Sequence, residues 1–346
     1  MKKSLLKLLQ VVSLLAGLAL FAFLIKQTGL ALIWHYLGLM GWGFAFILLL
    51  SLVRNFARAG SWYFAIEPPA RAIGFWQLMN VMLGGEAIKY LTATGPLLGE
   101  PAKAAMVRRE VPLLKGFSSV IVENMIYYLS VFLFMLSGLP LLAGIVALPG
   151  SLKLAGYVIA GFILSGIAIT AIAVRRRWYV LARLLETVGR RTASGKRGRL
   201  DGAISKTRAL EENIYSFYEN RRSAFYLILS LNMTAHLINM IEVYVILALM
   251  QLPASVFAGY VIEAVTKVIN MAFFFVPTRA GVYESGNAIV LDAMGMTAAA
   301  GVALAIIRKL RAFVWVGYGI AVIAFITIID RRKAGRELEA QDRTVD

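Results

Sequence analysis

Arg279 and Glu284 stand five residues apart in VPTRAGVYESG, residues 276–286, within an otherwise greasy stretch. Proline lacks an amide hydrogen and clashes with the preceding turn, so a helix should stop at Pro277 and another begin near Gly281. A helix start offers free N–H groups and partial positive charge. An anionic phosphate could bind there, gripped bidentately by Arg279. The competing reading is structural: Glu284 caps the new helix and pairs with Arg279. Three more pairs, Glu86/Lys89, Glu100/Lys103 and Glu263/Lys267, lie three or four residues apart and share a helix face. They either neutralise themselves so that a short helix can enter a bilayer, or form a charged cavity wall. Arg308, Lys309 and Arg311 precede the apolar run 312–329. Arg308 and Arg311, on one face with Trp315, either snorkel to the outer interface or receive a phosphate there. Arg54 and Arg58 with Trp62 form a similar group at the inner side, where cations ordinarily end a span. Glu123 should face the last span, with Arg308 as its attractive partner. Asn232, His236, Asn239 and Glu242 form one polar stripe. Interhelical hydrogen bonding explains it by default, and a proton-coupling pair of His236 with Glu242 is the alternative.

Composition removes several chemistries. The 346 residues contain no cysteine and two histidines, so disulfides, thiolate metal sites and a serine–histidine hydrolase find little or no material. No cofactor motif or metal-ligand cluster is visible. No cofactor, metal or catalytic residue is expected, and the chain is not expected to be an enzyme. With 60% hydrophobic and 16% charged residues, it is too apolar for a water-soluble domain. Its formal charge of +17 is gathered in blocks, which fits basic cytoplasmic loops better than nucleic-acid binding.

These side chains need elements to hold them, and the elements read as membrane helices. Six stretches, roughly 5–25, 37–57, 117–139, 154–174, 224–250 and 300–329, are long and apolar enough to span. The first is read as an uncleaved span, because its apolar run is too long for a signal peptide. The block 175–222 holds 13 Lys and Arg against 5 Asp and Glu, so it should be a cytoplasmic loop of two amphipathic helices. An even number of spans then places both termini inside. The fold expected is an all-α polytopic membrane protein forming one integral-membrane domain over 1–346.

Residues 75–110 and 256–294 are apolar but broken, at Gly95-Pro96 and at Pro277 to Gly281. Irregular backbone at membrane depth is tolerated only when buried in protein or lining a wet cavity. Each segment is therefore expected to be a re-entrant helical hairpin. The segments also match: Glu86-Ala-Ile-Lys89 parallels Glu263-Ala-Val-Thr-Lys267, and Gly116 to Glu123 parallels Gly301 to Arg308. A weak inverted repeat follows, with a first half over 1–139 and a second over 152–330. Three spans per half invert the second, so the hairpins would enter from opposite faces and meet near the midplane, as in transporters.

The Pro-x-x-Gly-Glu of the first hairpin, the Pro-Thr-x-x-Gly-x-x-Glu of the second and the early arginine of the last span resemble the flippase-like family. That is the family of the transmembrane region of lysylphosphatidylglycerol synthases. The usual family hairpin is closer to Pro-x-Pro-Gly-Gly-x-Gly-x-x-Glu, and Arg279 and Ala280 occupy its middle here. The resemblance implies movement of an anionic or polyprenyl-linked lipid between leaflets of the cytoplasmic membrane. Its implied partners are a membrane lipid with an anionic headgroup or lipid phosphate, and lipid or glycan biosynthetic enzymes. No aminoacyl-transferase domain follows residue 346, so lysyl transfer is not expected. The alternatives are a membrane-embedded lipid-modifying enzyme and a non-transporting partner of such an enzyme.

Overall fold

Long apolar runs leave the backbone one way to satisfy its own polar groups, and the chain takes it: the described residues are helical, with no strand among them. The computed structural model describes residues 30–92, 96–145, 150–192, 197–273, 276, 279 and 281–342. The expected first span, 5–25, and most of the break around Pro277 lie outside the described residues. Twelve α-helices follow in order: α1 (Leu30–Met40), α2 (Gly43–Ala65), α3 (Phe75–Leu91), α4 (Pro96–Met106), α5 (Leu113–Ile145), α6 (Gly150–Arg175), α7 (Val180–Thr192), α8 (Arg197–Asn220), α9 (Arg222–Leu249), α10 (Val256–Ala272), α11 (Val282–Ala293) and α12 (Ala298–Asp342).

Among the described residues, five segments are long and apolar enough to cross a membrane: Gly43–Ala65, Leu113–Gly138, Gly156–Arg175, Arg222–Leu249 and Ala298–Ile328. Four of them coincide with expected spans. The expected span 37–57 is corrected: the helix breaks after Met40, Gly41 takes φ +41°, and α2 restarts at Gly43 and runs to Ala65. Hydropathy ends the span just short of Arg58, but Arg54 and Arg58 turn inward here. They therefore lie within the spanning helix, not beyond its end.

The two broken segments each give two short helices. In the first, α3 and α4 run antiparallel, because Gly85 abuts Lys103 and Gly99 abuts Lys89. In the second, α10 and α11 pack together, with Gly286 against Ile269. The packing around these pairs has a regular form. The second arm of each rests on the long helix that follows it, α4 on α5 and α11 on α12. The first arm rests on the long helix of the other half, α3 on α12 and α10 on α5. Helices α2 and α9 lie against each other at the centre.

Glycines permit the close approaches. A Cβ at Gly301 would lie 2.3 Å from the Asn287 carbonyl oxygen of α11. Gly116, its sequence counterpart, packs on Ala104 of α4 and on Val107 just beyond that helix. On the opposite faces, Gly138 meets the Ala264 methyl and Gly319 meets the Ala87 methyl. Ala87 and Ala264 are the alanines of the two Glu-Ala repeats. Small residues let membrane helices approach where no hydrophobic force drives them together.

The basic block folds as α7 and α8. Glu211 caps α7 by accepting from the amides of Leu181 at 2.8 Å and Ala182 at 3.1 Å. Arg177, in the turn between α6 and α7, is held to α8 through Glu212 and Glu219. That guanidinium, hydrogen-bonded to the exposed Glu219, holds its carboxyl below the usual carboxylate range.

Candidate functional site: a cationic cavity between the broken helices

Each half brings charged side chains toward the centre because apolar surroundings give them nowhere else to go. In the first half, the Glu86/Lys89 and Glu100/Lys103 pairs share faces of α3 and α4, as their spacing requires, at 3.5 and 3.1 Å. The antiparallel packing of the arms then crosses them. Lys103 Nζ reaches Glu86 Oε1 at 2.9 Å, and Lys89 Nζ reaches Glu100 Oε1 at 3.3 Å. Asn124 of α5 donates to Glu100 Oε2 at 2.9 Å. Glu123 is buried, but its partner is Arg58 of α2 at 3.5 Å and not Arg308. The expected Glu123–Arg308 pairing is thus corrected, because α2 stands nearer to this stretch of α5. Arg58 also lies over the Tyr127 ring, 3.8 Å from its centroid. In this cluster Arg58, Lys89 and Lys103 match Glu86, Glu100 and Glu123 one for one.

The second half is built differently. Glu263 of α10, fully buried, takes Lys267 at 2.8 Å and Arg308 of α12 at 2.6 Å. Glu242 of α9, equally buried, takes Arg311 and stands 3.5 Å from Arg308. Arg308 and Arg311 do not snorkel: they are only 6% and 8% exposed and point into the protein. Glu284 accepts from the Gly281 amide at 2.8 Å and so caps α11. Its other oxygen holds Lys309 at 2.5 Å. The expected alternative of an Arg279–Glu284 pair is therefore replaced by Lys309–Glu284. Arg279, at φ +50°, donates to the Asn270 carbonyl at 3.4 Å. Arg54 of α2 donates to Asn239 at 3.2 Å and Asn55 at 3.0 Å. Among the described residues, no carboxylate lies within ion-pair distance of Arg54 or Arg279.

The polar stripe of α9 bonds to three different helices. Asn232 donates to Ser61 of α2 at 2.8 Å, and His236 meets Ser130 of α5 at 3.0 Å. Asn239 takes Arg54, and Glu242 takes Arg311 of α12. Interhelical bonding accounts for all four residues, and His236 and Glu242 have separate partners.

Between these groups lies a cavity of about 310 Å³. Of the residues singled out from the sequence, Glu86, Lys89, Glu263, Lys267, Arg279, Arg308 and Arg311 line it. Glu100, Lys103, Glu123 and Glu284 stand behind that wall and hold its members in place. Arg54, Arg58 and Lys309 also line the cavity, with Tyr90, Tyr127 and Tyr283. Their signal in the sequence is charge within a stretch that had to be buried; for Arg54 and Arg58 the end-of-span reading competes with it. Eight cations and two carboxylates thus face the space. Arg58 Nη1, Arg308 Nη1 and Arg311 Nε are buried and have no acceptor. An arrangement of this kind attracts anions and supplies planar, multiply donating groups to phosphate or carboxylate oxygens. No cluster that could hold a metal ion occurs among the described residues.

No curated protein and no solved structure matches this chain. The profile described as the lysylphosphatidylglycerol synthase TM region does match, over residues 10–321. That stretch takes in both broken helix pairs, the central α2 and α9 and every residue that lines the cavity. The chain is accordingly a multi-pass membrane protein, and it belongs to the family of the lysylphosphatidylglycerol synthase TM region.

Proposed function

We propose that the protein is a translocase that moves a lipid with an anionic headgroup between the leaflets of the cytoplasmic membrane, without altering the lipid chemically. The observation that carries this reading is the cavity itself: eight cations against two carboxylates, deep among helices long enough to span. Charges so placed are costly and mark substrate paths in membrane proteins.

The short helices support re-entrant hairpins. At about 1.5 Å per residue, the 17-residue α3 and α10 reach about 26 Å. Their companions, of 11 and 12 residues, reach about 17 Å. All four fall short of the ~30 Å hydrocarbon core. The packing supports an internal repeat as well. Exchanging α2 with α9, α3 with α10, α4 with α11 and α5 with α12 turns the contacts among these eight helices into themselves. With the span expected at 5–25, three spans per half would invert the repeat, and the basic block 175–222 would mark the cytoplasmic side.

Two experiments test this. In proteoliposomes of defined composition, the wild type should speed leaflet exchange of fluorescent anionic phospholipids, phosphatidylglycerol and phosphatidic acid, over empty vesicles. Arg279→Ala should cut that gain by about tenfold or more, the loss expected for a charge-assisted contact. Exchange no faster than in empty vesicles rejects the translocase; a change in the lipid's mass points to an enzyme. For orientation, single cysteines can be placed on the naturally cysteine-free chain. Cysteines replacing Leu97 and Leu98 should react with an impermeant thiol reagent from inside, and one replacing Val282 from outside. Reaction of both sites from one face would end the inverted arrangement.

A further inference from the structure

The charge in this site is unevenly distributed. In the first-half cluster, three cations meet three carboxylates and none is left over. In the second, Lys267, Arg308, Lys309 and Arg311 face Glu242, Glu263 and Glu284, which leaves one cation in excess. Arg54 and Arg279 add two more whose bonded partners are neutral amides and a carbonyl. The surplus is therefore three positive charges, all of it outside the balanced cluster. Arg308 and Arg311 also keep N–H groups that no protein acceptor takes.

We infer that the cavity binds a headgroup carrying at least two negative charges on phosphate, a phosphomonoester or a diphosphate, held chiefly by Arg54 and Arg279 beside Arg308 and Arg311. This rests on the cavity being the headgroup site proposed above. A phosphodiester brings one negative charge and would leave two of the three surplus cations uncompensated. A phosphomonoester brings about 1.5 to 2 at neutral pH, with three strong acceptor oxygens. A diphosphate offers more acceptors still, to match the several planar guanidinium groups around it. Size fits the same ligand class. At about 310 Å³ the space is at the lower end for small-molecule sites. It suits a compact polar headgroup whose chain remains in the bilayer.

The test is a binding series on the full chain in nanodiscs of zwitterionic lipid. The probes are phosphatidic acid, phosphatidylglycerol with the same acyl chains, a short prenyl diphosphate and inorganic pyrophosphate. Phosphatidic acid and the prenyl diphosphate should bind about ten to a hundred times more tightly than phosphatidylglycerol, the span of one or two charge-assisted contacts. Arg54→Gln and Arg279→Gln should each erase most of that preference, while Arg54→Lys and Arg279→Lys retain part of it. Melting temperatures without ligand show which variants remain folded. Equal affinity of the wild type for phosphatidic acid and phosphatidylglycerol overturns the inference, whatever the variants do. Unchanged selectivity in folded Arg54→Gln and Arg279→Gln overturns the assigned residues. If inorganic pyrophosphate binds as tightly as the prenyl diphosphate, the charge requirement stands and the ligand is a soluble anion. That outcome overturns the headgroup inferred here together with the translocase reading, whereas equal affinity for phosphatidic acid and phosphatidylglycerol overturns the charge requirement alone.

Discussion

Glu263→Ala is expected to deplete folded protein more severely than any other single charge removal in the cavity wall. Glu263 has no exposed surface and is the carboxylate shared by Lys267 at 2.8 Å and Arg308 at 2.6 Å. Its loss strands Lys267 and leaves Arg308 only Glu242, at 3.5 Å and already engaged with Arg311. Removing one partner of a buried pair typically costs about 3–5 kcal/mol, because the charge left behind is uncompensated. The local surplus of positive charge also rises by one. Glu263→Gln preserves the shape and one acceptor and should cost less. Combining Glu263→Gln with Arg308→Met should recover part of the loss, since the stranded guanidinium goes too. Thermal unfolding of detergent-purified protein, followed by monodisperse yield, reads the whole cycle. A melting point for Glu263→Ala equal to that of the wild type would refute the assignment of Glu263 as the shared anchor.

Gly301→Val should be the next most damaging substitution, for a steric reason. A Cβ at that position would stand 2.3 Å from the Asn287 carbonyl oxygen and 2.5 Å from Ala288 Cα. Both are backbone atoms, so no side chain can swing away and α11 must move off α12. Overpacking of this kind costs about 1–3 kcal/mol, and a branched residue adds to the first clash. The displacement also pulls Glu284 from Lys309, which ties the same two helices. Gly317 supplies the control on the same helix, having nothing within 4 Å of its would-be Cβ. Gly317→Ala should be neutral, or stabilising by up to about 1 kcal/mol through helix propensity. A melting temperature that falls equally for Gly301→Val and Gly317→Ala would mean that helix flexibility, not helix contact, governs this stretch.

The comparison of sequence with structure separates local information from relational information. The breaks marked by proline are legible, because proline acts on its own backbone, while the break at Gly41 is not. The segments expected at 75–110 and 256–294 resolve into helix pairs at Phe75–Met106 and Val256–Ala293. Pairs within one helix were legible for the same reason, and Glu86/Lys89, Glu100/Lys103 and Glu263/Lys267 all form. Partners across helices were not. Spacing shows which face Glu123 occupies, but only packing decides that Arg58, and not Arg308, meets it. The misplaced span 37–57 has a related origin. A hydropathy scale charges Arg54 and Arg58 as if they met lipid, while the fold turns them toward a cavity. Sequence alone therefore favours an end-of-span role for Arg54 over a phosphate contact, although its bonding to neutral amides alone is among the main features of the site.

The crosswise seating of the helix pairs bears on how such a molecule could move. Ala87 of one half sits on Gly319 of the other, and Ala264 sits on Gly138 in return. A rotation of either half must slide both contacts together, so the two are geared and cannot turn independently. In the translocase proposed above, such interlocking would tie opening toward one leaflet to closing toward the other and disfavour an unguarded leak through both faces at once.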